Sequence, residues 1–251
     1  MAPETEKKEN VKMKLANSVD ATIDAASQQM IDRSHDLGIE TAFDRAVTMK
    51  PCNIGTQGIC CKNCGMGPCR LPMPKSGIEG EDTRKGICGA TPNTIAARNF
   101  IRMIAGGAAA HSDHGRSVAE VFISAARKET DAYQIKDTRK LIEVAKCLGV
   151  ATTVEEDGVK LDRETDEIAV EVGKKAMKEW GKDEGELLYA KRAPQPRYEL
   201  WKKQGVLPRN IDREIVEIMH RTHIGVDQDY RNLMKQGTRA AIADGWGGSM
   251  L

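Results

Sequence analysis

Apolar residues recur at spacings of three and four along most of the chain, and this period is typical of helices. We predict helices over residues 17–33, 91–128, 137–147, 165–180, 211–223 and 227–246. Thr91 and Pro92 open the longest of them as N-cap and first helical residue. No alternating pattern indicates a sheet, and we predict no strand around Val150, the only candidate. The sequence therefore predicts an all-α fold.

The domain organisation follows from the same pattern. Residues 1–14 are charged and predict a flexible tail, and residues 15–251 predict one helical domain. Gly106 and Gly107 lie in the middle of the longest helix and cost it helix propensity. In exchange, they would let a neighbouring backbone or a cofactor come very close to the helix.

Composition narrows the class of protein. The 251 residues include 38 basic and 37 acidic side chains, a net charge of +1. This balance argues against a nucleic-acid partner, since proteins that neutralise phosphates carry a basic excess. Aromatic residues are only 4%, so aliphatic residues, Ala and Met must fill the core. The sequence shows no secretory signal and no apolar run of membrane-spanning length, so we expect a cytoplasmic protein without a membrane span.

Six of the seven cysteines lie between Cys52 and Cys88 in the pattern Cys-x7-Cys-Cys-x2-Cys-x4-Cys-x18-Cys. The segment is rich in Gly and Pro and predicts a loop, over about residues 50–90, that presents sulfurs to a compact group. Clustered cysteines of cytosolic proteins are more often metal ligands than disulfides. Cys147 stands apart on an apolar helical face and predicts core packing.

Two metal sites are compatible with Cys61, Cys64, Cys69 and Cys88. Structural zinc modules usually pair two Cys-x2-Cys clips, and only one such clip occurs here. An iron–sulfur cubane takes four thiolates, often a compact Cys-x2-Cys run with one remote ligand. The spacing favours the cubane and leaves zinc open.

Cys52 and Cys60 are then left over. Because Cys60 and Cys61 are adjacent, their side chains diverge and would serve different centres. A two-fold dimer would present the spare pair twice and so supply four ligands on its axis. We hypothesise a second cluster that bridges two subunits; the alternative is two free buried cysteines.

Three segments together resemble the N-terminal region of the anaerobic nickel–iron carbon monoxide dehydrogenases. They are the cysteine pattern, AARNFIRMIAGGAAAHSDHGR from Ala96, and HRTHIGVDQDYRNLMKQGTRAAIADGWGGSM from His220. The resemblance implies one intrasubunit [4Fe-4S] cluster and one intersubunit cluster. Their ligands would be Cys61, Cys64, Cys69 and Cys88 for the first, and Cys52 and Cys60 for half of the second. The loop from Cys69 to Cys88 is a few residues longer than in the family, and we interpret the excess as a surface excursion.

The resemblance also implies a role for histidines. His111 matches an acid–base group near the nickel–iron centre, and His114 matches the next histidine of a proton path. The following two positions of that row are Ser117 and Glu120. A four-histidine relay is therefore not present, although both residues could carry protons with help from water.

Enzymes of the resembled family convert CO and H2O to CO2, two protons and two electrons, and pass the electrons to ferredoxin-like acceptors. No cysteine follows Cys147, so we expect the nickel–iron–sulfur centre only in a full-length enzyme and expect this chain alone to be inactive. It would be the homodimeric electron-transfer part of such an enzyme. The alternatives are a stand-alone electron-transfer protein with two clusters and a structural module stabilised by zinc.

Overall fold

The computed structural model describes residues 14–49 and 52–247. They belong to two compact units, Met1–Thr56 and Gln57–Leu251. The described part of the first unit contains three helices, α1 (Ser18–Ala21), α2 (Ala25–Asp36) and α3 (Ala42–Thr48). Of the predicted tail, only Lys14 lies inside the described residues.

The second unit is built mainly of helices. Its elements are β1 (Cys60–Cys61), β2 (Cys69–Arg70), α4 (Pro92–Ala126), α5 (Thr138–Cys147), β3 (Thr153–Glu156), β4 (Val159–Asp162), α6 (Thr165–Gly181), a 3-10 turn (Leu188–Arg192), α7 (Gln195–Gln204), α8 (Ile211–Arg221) and α9 (Tyr230–Gly247). The described chain is thus predominantly helical, as predicted. No helix in these ranges has the length and apolar character needed to cross a bilayer.

The predicted helix over residues 17–33 is in fact two helices. Asp24 adopts extended backbone and its carboxylate accepts a hydrogen bond from the Ser27 N–H at 2.8 Å, so it caps α2 and ends the continuity. α2 continues to Asp36 because Gly38, at φ +69°, supplies the left-handed residue that ends it. The apolar period alone could not show the break at Asp24.

The caps of the second unit confirm the predicted helix starts. The Thr91 hydroxyl accepts from the Thr94 N–H at 3.3 Å, with Pro92 as the first residue of α4. The Asp137 carboxylate accepts from the Lys140 N–H at 2.9 Å and opens α5. Such caps satisfy backbone donors that no helical carbonyl reaches.

α4 is the helix on which the second unit is organised. It contacts α6, α8 and α9. The C-terminal half of α4 shares one apolar core with α5 and α6, which includes the buried Trp180. The N-terminal half shares another with α8 and α9, in which Ile101, Ile218 and Leu233 are fully buried.

The prediction that strands are absent was wrong in two places. β3 and β4 form an antiparallel hairpin around Asp157 and Gly158, at φ +50° and +78°. Two-residue hairpin turns need positive φ at such positions, and Asp-Gly is a favoured pair for them. Within the predicted loop, β1 and β2 also pair. Residues 195–204 form α7, which the sequence pattern did not predict.

A close helix approach occurs at Gly115 rather than at the glycine pair of α4. A Cβ atom at Gly115 would lie 2.8 Å from Cζ2 of Trp180 on α6. No described atom lies within 4 Å of a Cβ added at Gly106 or Gly107, and both residues are exposed. The smallest residue is therefore required where α4 meets the Trp180 ring.

We expect Gly115→Ala to destabilise the chain by up to about 2 kcal/mol. The overpacking penalty against the indole, about 1–3 kcal/mol, outweighs the helix-propensity gain of about 1 kcal/mol. Gly106→Ala, on the same helix, should instead stabilise by up to about 1 kcal/mol. Urea denaturation measures the free energy of unfolding of both variants. Equal shifts of the two denaturation midpoints would contradict the expectation.

Candidate metal centre

Four cysteine side chains line one cavity of the second unit. They are those of Cys61, Cys64, Cys69 and Cys88. The cavity lies between the β1–β2 pair, residues 86–90, the first turns of α4 and the residues that follow α8. The structure thus brings together the four thiols that the sequence pattern grouped.

The short β1–β2 pair positions two of these cysteines. Cys61 lies opposite Cys69 across the antiparallel pair. Asn99 of α4 donates hydrogen bonds from Nδ2 to the carbonyl oxygens of Gly58 and Cys60, at 2.9 and 3.0 Å. A side chain on the rigid helix therefore holds the glycine-rich loop in place.

Residues 86 and 87 lie directly against the Cys69 thiol. The Ile87 N–H donates to Cys69 Sγ at 3.4 Å. A Cβ atom at Gly86 would lie 3.2 Å from Cys69 Cβ and 3.4 Å from Sγ, so a larger residue would press on the thiol. The backbone of residues 86 and 87 therefore fixes the position of the Cys69 sulfur.

Cys88 is held by a charged group from α4 and a polar group from the segment between α8 and α9. Arg98 of α4 donates from Nη1 to Cys88 Sγ at 3.4 Å, and Gln228 donates from Nε2 to the Cys88 carbonyl at 2.8 Å. Burial by itself would raise the pKa of the Cys88 thiol. The Arg98 hydrogen bond, helped by the Ala90 N–H, the Arg98 charge and Gln228, outweighs burial, so the pKa is lowered. Cys88 is therefore predisposed to the thiolate form.

Two buried donors around the cavity have no acceptor among the described residues. They are Nε of Arg98 and Nδ2 of Asn63, and both residues line the cavity. The Arg98 side chain also donates from Nη2 to the Asp227 carbonyl at 2.5 Å, and the residue is only 1% exposed. Because a buried donor without an acceptor costs free energy, the cavity fits a group that carries acceptor atoms. Sulfur atoms of an iron–sulfur cluster are such acceptors.

Zinc and an iron–sulfur cluster place different demands on four thiols. Within residues 14–49 and 52–247, no three His, Cys, Asp or Glu side chains converge as ligands of one metal ion. A zinc site needs four ligands at bonding distance from a single ion. The thiolates of a cubane each bind a different iron and surround a larger volume. The choice between zinc and a cluster at these four thiols stays a prediction, which the iron and sulfide content of the loaded chain tests.

Cys52 and Cys60, the proposed ligands of the shared cluster, lie in different units. Cys52 is exposed, and its Sγ accepts from the Gly55 N–H at 3.5 Å. Cys60 is half-buried in β1 next to Cys61. Their joint role as ligands stays a prediction.

His111 has an acidic partner that the sequence analysis did not find. Its Nδ1 lies 2.8 Å from Oδ1 of Asp244, 133 residues further along the chain on α9. The His111 side chain is 66% exposed and that of Asp244 is 26% exposed. An ionised carboxylate accepts the Nδ1–H, which leaves Nε2 of the neutral ring free to take up a proton. The Asp244 carboxylate therefore orients the His111 ring at the surface of α4.

The other members of the predicted row also lie on the exposed side of α4. His114 borders a groove with Val118 and Tyr133. Ser117 donates its hydroxyl to the Asp113 carbonyl of its own helix at 3.3 Å, and Glu120 is exposed. No described contact joins the row into a chain of hydrogen bonds, and the proton path stays a prediction.

Asn63, Arg98 and Asp244 are among the residues of these sites that the sequence prediction missed. Arg98 did leave a signal, because it occupies the buried stripe of α4 between Ile95 and Ile101. A charged residue on such a stripe is almost never fully buried unless it has a partner. Asp244 left no such signal in the sequence, because its partner His111 is 133 residues away.

Comparison with known proteins gives one family. The profile of the Prismane/CO dehydrogenase family matches residues 59–251. A carbon monoxide dehydrogenase of Methanosarcina acetivorans is 48% identical over 232 residues, which are 92% of this chain and 35% of that protein.

Solved structures agree with this match. A nickel-free carbon monoxide dehydrogenase from Thermococcus sp. AM4 is similar at a TM-score of 0.73 and 41% identity, over 100% of this chain and 37% of that one. A structure of acetyl-CoA synthase/carbon monoxide dehydrogenase, described by its NiZn[Fe4S4] and NiNi[Fe4S4] clusters, gives a TM-score of 0.73 and 37% identity, over 94% and 33% of the two chains. The chain therefore spans about a third of the length of the relatives it matches.

Proposed function

Because this chain belongs to the Prismane/CO dehydrogenase family, we propose that it is the N-terminal iron–sulfur and dimerisation part of an anaerobic carbon monoxide dehydrogenase. Such an enzyme converts CO and H2O to CO2, two protons and two electrons. The chain would serve in the cytoplasm to conduct electrons from a nickel–iron centre to a ferredoxin-like acceptor. The observation that carries the proposal is the single cavity lined by Cys61, Cys64, Cys69 and Cys88.

In this proposal the four cysteines hold one [4Fe-4S] cluster, which supplies one-electron storage and transfer when bound. The chain's own residues prepare the cavity for it. Asn99 fixes the loop against α4, the Ile87 N–H donates to the Cys69 sulfur, and Arg98 supports the Cys88 thiolate. Arg98 and Asn63 add buried donors that cluster sulfur can satisfy.

A test of this function starts from the purified 251-residue chain, loaded with iron and sulfide without oxygen. We expect visible cluster absorption and at least about four irons per chain, with no bound zinc after loading from a mixture of metals. A chain that binds one zinc and no sulfide would overturn the proposal. CO oxidation by this chain alone is expected to be absent, and robust turnover with bound nickel would refute its role as the electron-transfer part.

The first unit supports the dimerisation part of the proposal. It exposes nine large apolar side chains among its described residues: Leu15, Val19, Ile23, Met30, Leu37, Ile39, Phe43, Val47 and Met49. Monomeric proteins rarely expose so much apolar surface in one small unit. A second copy of the chain would cover such a surface and bring together the two Cys52–Cys60 pairs that the shared cluster requires.

Replacing both Cys52 and Cys60 by Ala is expected to remove the shared cluster. Iron per chain should fall while the intrasubunit cluster remains, and the dimer should dissociate at low concentration because the covalent link between subunits is gone. Iron analysis and light scattering of the double variant, beside Cys147→Ala, check the result. If the double variant keeps the wild-type iron content and stays dimeric, the hypothesis of a bridging cluster is refuted.

The proposal also assigns proton transfer to the exposed side of α4. His111, oriented by Asp244, would be the acid–base group that faces the nickel–iron centre of the complete enzyme. His114, Ser117 and Glu120 would continue the path with water molecules between them.

A further inference from the structure

Arg98 is the one charged side chain that is buried at the cysteine cavity in the described part of the chain. It is 1% exposed, yet it carries a full positive charge, since an arginine does not lose its proton in proteins. Its only described hydrogen-bond acceptors are Cys88 Sγ and the Asp227 carbonyl. No carboxylate neutralises it in the described structure, although charged groups are normally buried only with a partner of opposite charge.

The position of this charge has an electrostatic consequence. Arg98 contacts a thiol that we propose as a cluster ligand, and water, which would screen the charge, is excluded from it. A buried charge acts far more strongly on its neighbours than one in water does. Reduction adds one electron to the cluster and no proton to Arg98, so the positive charge stabilises the reduced state.

Hydrogen bonds act in the same direction. Donors to cluster and thiolate sulfur favour the more negative, reduced state, and they are among the features that set cluster potentials. Arg98 donates from Nη1 to Cys88, and its Nε stays available in the buried region. Asn63, between Cys61 and Cys64 in the loop, adds a second buried donor without a described acceptor.

We propose that Arg98, assisted by Asn63, sets the reduction potential of the cluster held by the four-cysteine cavity, by raising it above the value that the cysteines alone would give. The proposal rests on the proposed function, because it requires a cluster in this cavity. Arg98 acts here as a positioning and tuning residue and not as a ligand.

The experiment is a potentiometric titration of the iron- and sulfide-loaded full chain, followed by electron paramagnetic resonance of the reduced cluster. The couple that is missing from the Cys88→Ala chain is the one assigned to the cavity. In Arg98→Gln, we expect the equilibrium constant for reduction of this cluster to fall by about tenfold, a lowering of about 59 mV for one electron. Arg98→Lys keeps the charge and should lose less than half of that shift.

Arg102 supplies a matched control on the same helix. Its Nε donates to the Thr222 hydroxyl at 2.8 Å, so it ties α4 to the end of α8 much as Arg98 ties α4 to Asp227. Arg102 is only half-buried, and its hydrogen bonds in the described part of the chain go to Thr222 and the Met219 carbonyl, not to a cysteine. Arg102→Gln should therefore leave the potential unchanged, although it removes a comparable tether.

Each outcome of these measurements supports or overturns the tuning role of Arg98. A potential that is unchanged in Arg98→Gln, or one that falls equally in Arg102→Gln, would overturn the tuning role while the cluster itself remains. If Arg98→Gln does not retain iron, Asn63→Ala decides, because it removes a donor without exposing a buried charge. If the equilibrium constant for reduction falls by about threefold in Asn63→Ala, the result supports the proposal. An unchanged constant overturns it. A wild-type chain without a cluster would instead contradict the proposed function.

Discussion

The Cys88→Ala chain is expected to lose the cluster of the four-cysteine cavity, and with it about four irons per chain. Cys88 is the remote ligand of the set, 18 intervening residues beyond Cys69. Its thiol is the one that Arg98 and the Ala90 N–H favour as a thiolate. Removing it takes away a ligand for one corner of a cubane and leaves the Arg98 guanidinium buried without its sulfur partner, and both effects oppose cluster binding.

Cys147→Ala is the matched control for this loss. Cys147 is also partly buried, but it packs against the core of α5 and α6 and donates its thiol to the Leu188 carbonyl at 3.5 Å. Burial raises the pKa of this thiol, which keeps it in the protonated form that does not bind metals. Iron and sulfide per chain should therefore match the wild type. Equal iron in Cys88→Ala and in the wild type would exclude Cys88 as a ligand.

The sequence predicted the helices whose ends are locally encoded. Thr91 with Pro92, and Asp137 with Gly149, mark starts and stops by hydrogen bonds or φ values within a few residues. The break at Asp24 has the same kind of local cause, but the apolar period runs across it and concealed it. The β3–β4 hairpin could have been found from Asp157-Gly158, and was missed because its strands do not alternate between buried and exposed positions.

The candidate site was predictable to the extent that its residues are neighbours in sequence. Cysteine spacing grouped four thiols, and the structure places them in one cavity. The partners that shape them come from elsewhere: Gln228 reaches Cys88 across 140 residues, and Asp227 accepts from Arg98 across 129. Such contacts depend on how α8 and the segment after it pack on α4, which no local pattern encodes.

That packing explains why α9 starts later than predicted. The apolar period suggested a helix from residue 227, but α9 begins at Tyr230. Asp227 is drawn into a turn in which its N–H donates to the Arg221 carbonyl and its own carbonyl accepts from Arg98. The backbone polar groups of Asp227 are therefore paired with Arg221 and Arg98 instead of forming helical hydrogen bonds.

In the CO-oxidising holoenzyme that the proposed function implies, His111→Gln is expected to lower kcat by about 10²–10⁴-fold, the usual range for a general acid–base group. Glutamine keeps polar atoms near the position of the imidazole but cannot exchange a proton near neutral pH. Metal content should stay at the wild-type level, because His111 contacts no cysteine of the cavity in the described structure. Turnover, iron and nickel are measured on the same preparation.

Asp244→Asn separates proton transfer from simple contact between α4 and α9. The amide is nearly isosteric and preserves the packing, but it carries no negative charge and can turn its NH2 group, instead of an acceptor, toward Nδ1 of His111. We expect kcat to fall by about 10–100-fold, as when the hydrogen-bond partner of a functional histidine is removed, and the pH profile of kcat to shift. His220→Gln, at the exposed last turn of α8, should change neither quantity. A loss in Asp244→Asn that appears only in KM, or that His220→Gln reproduces, would show that the carboxylate does not act through His111.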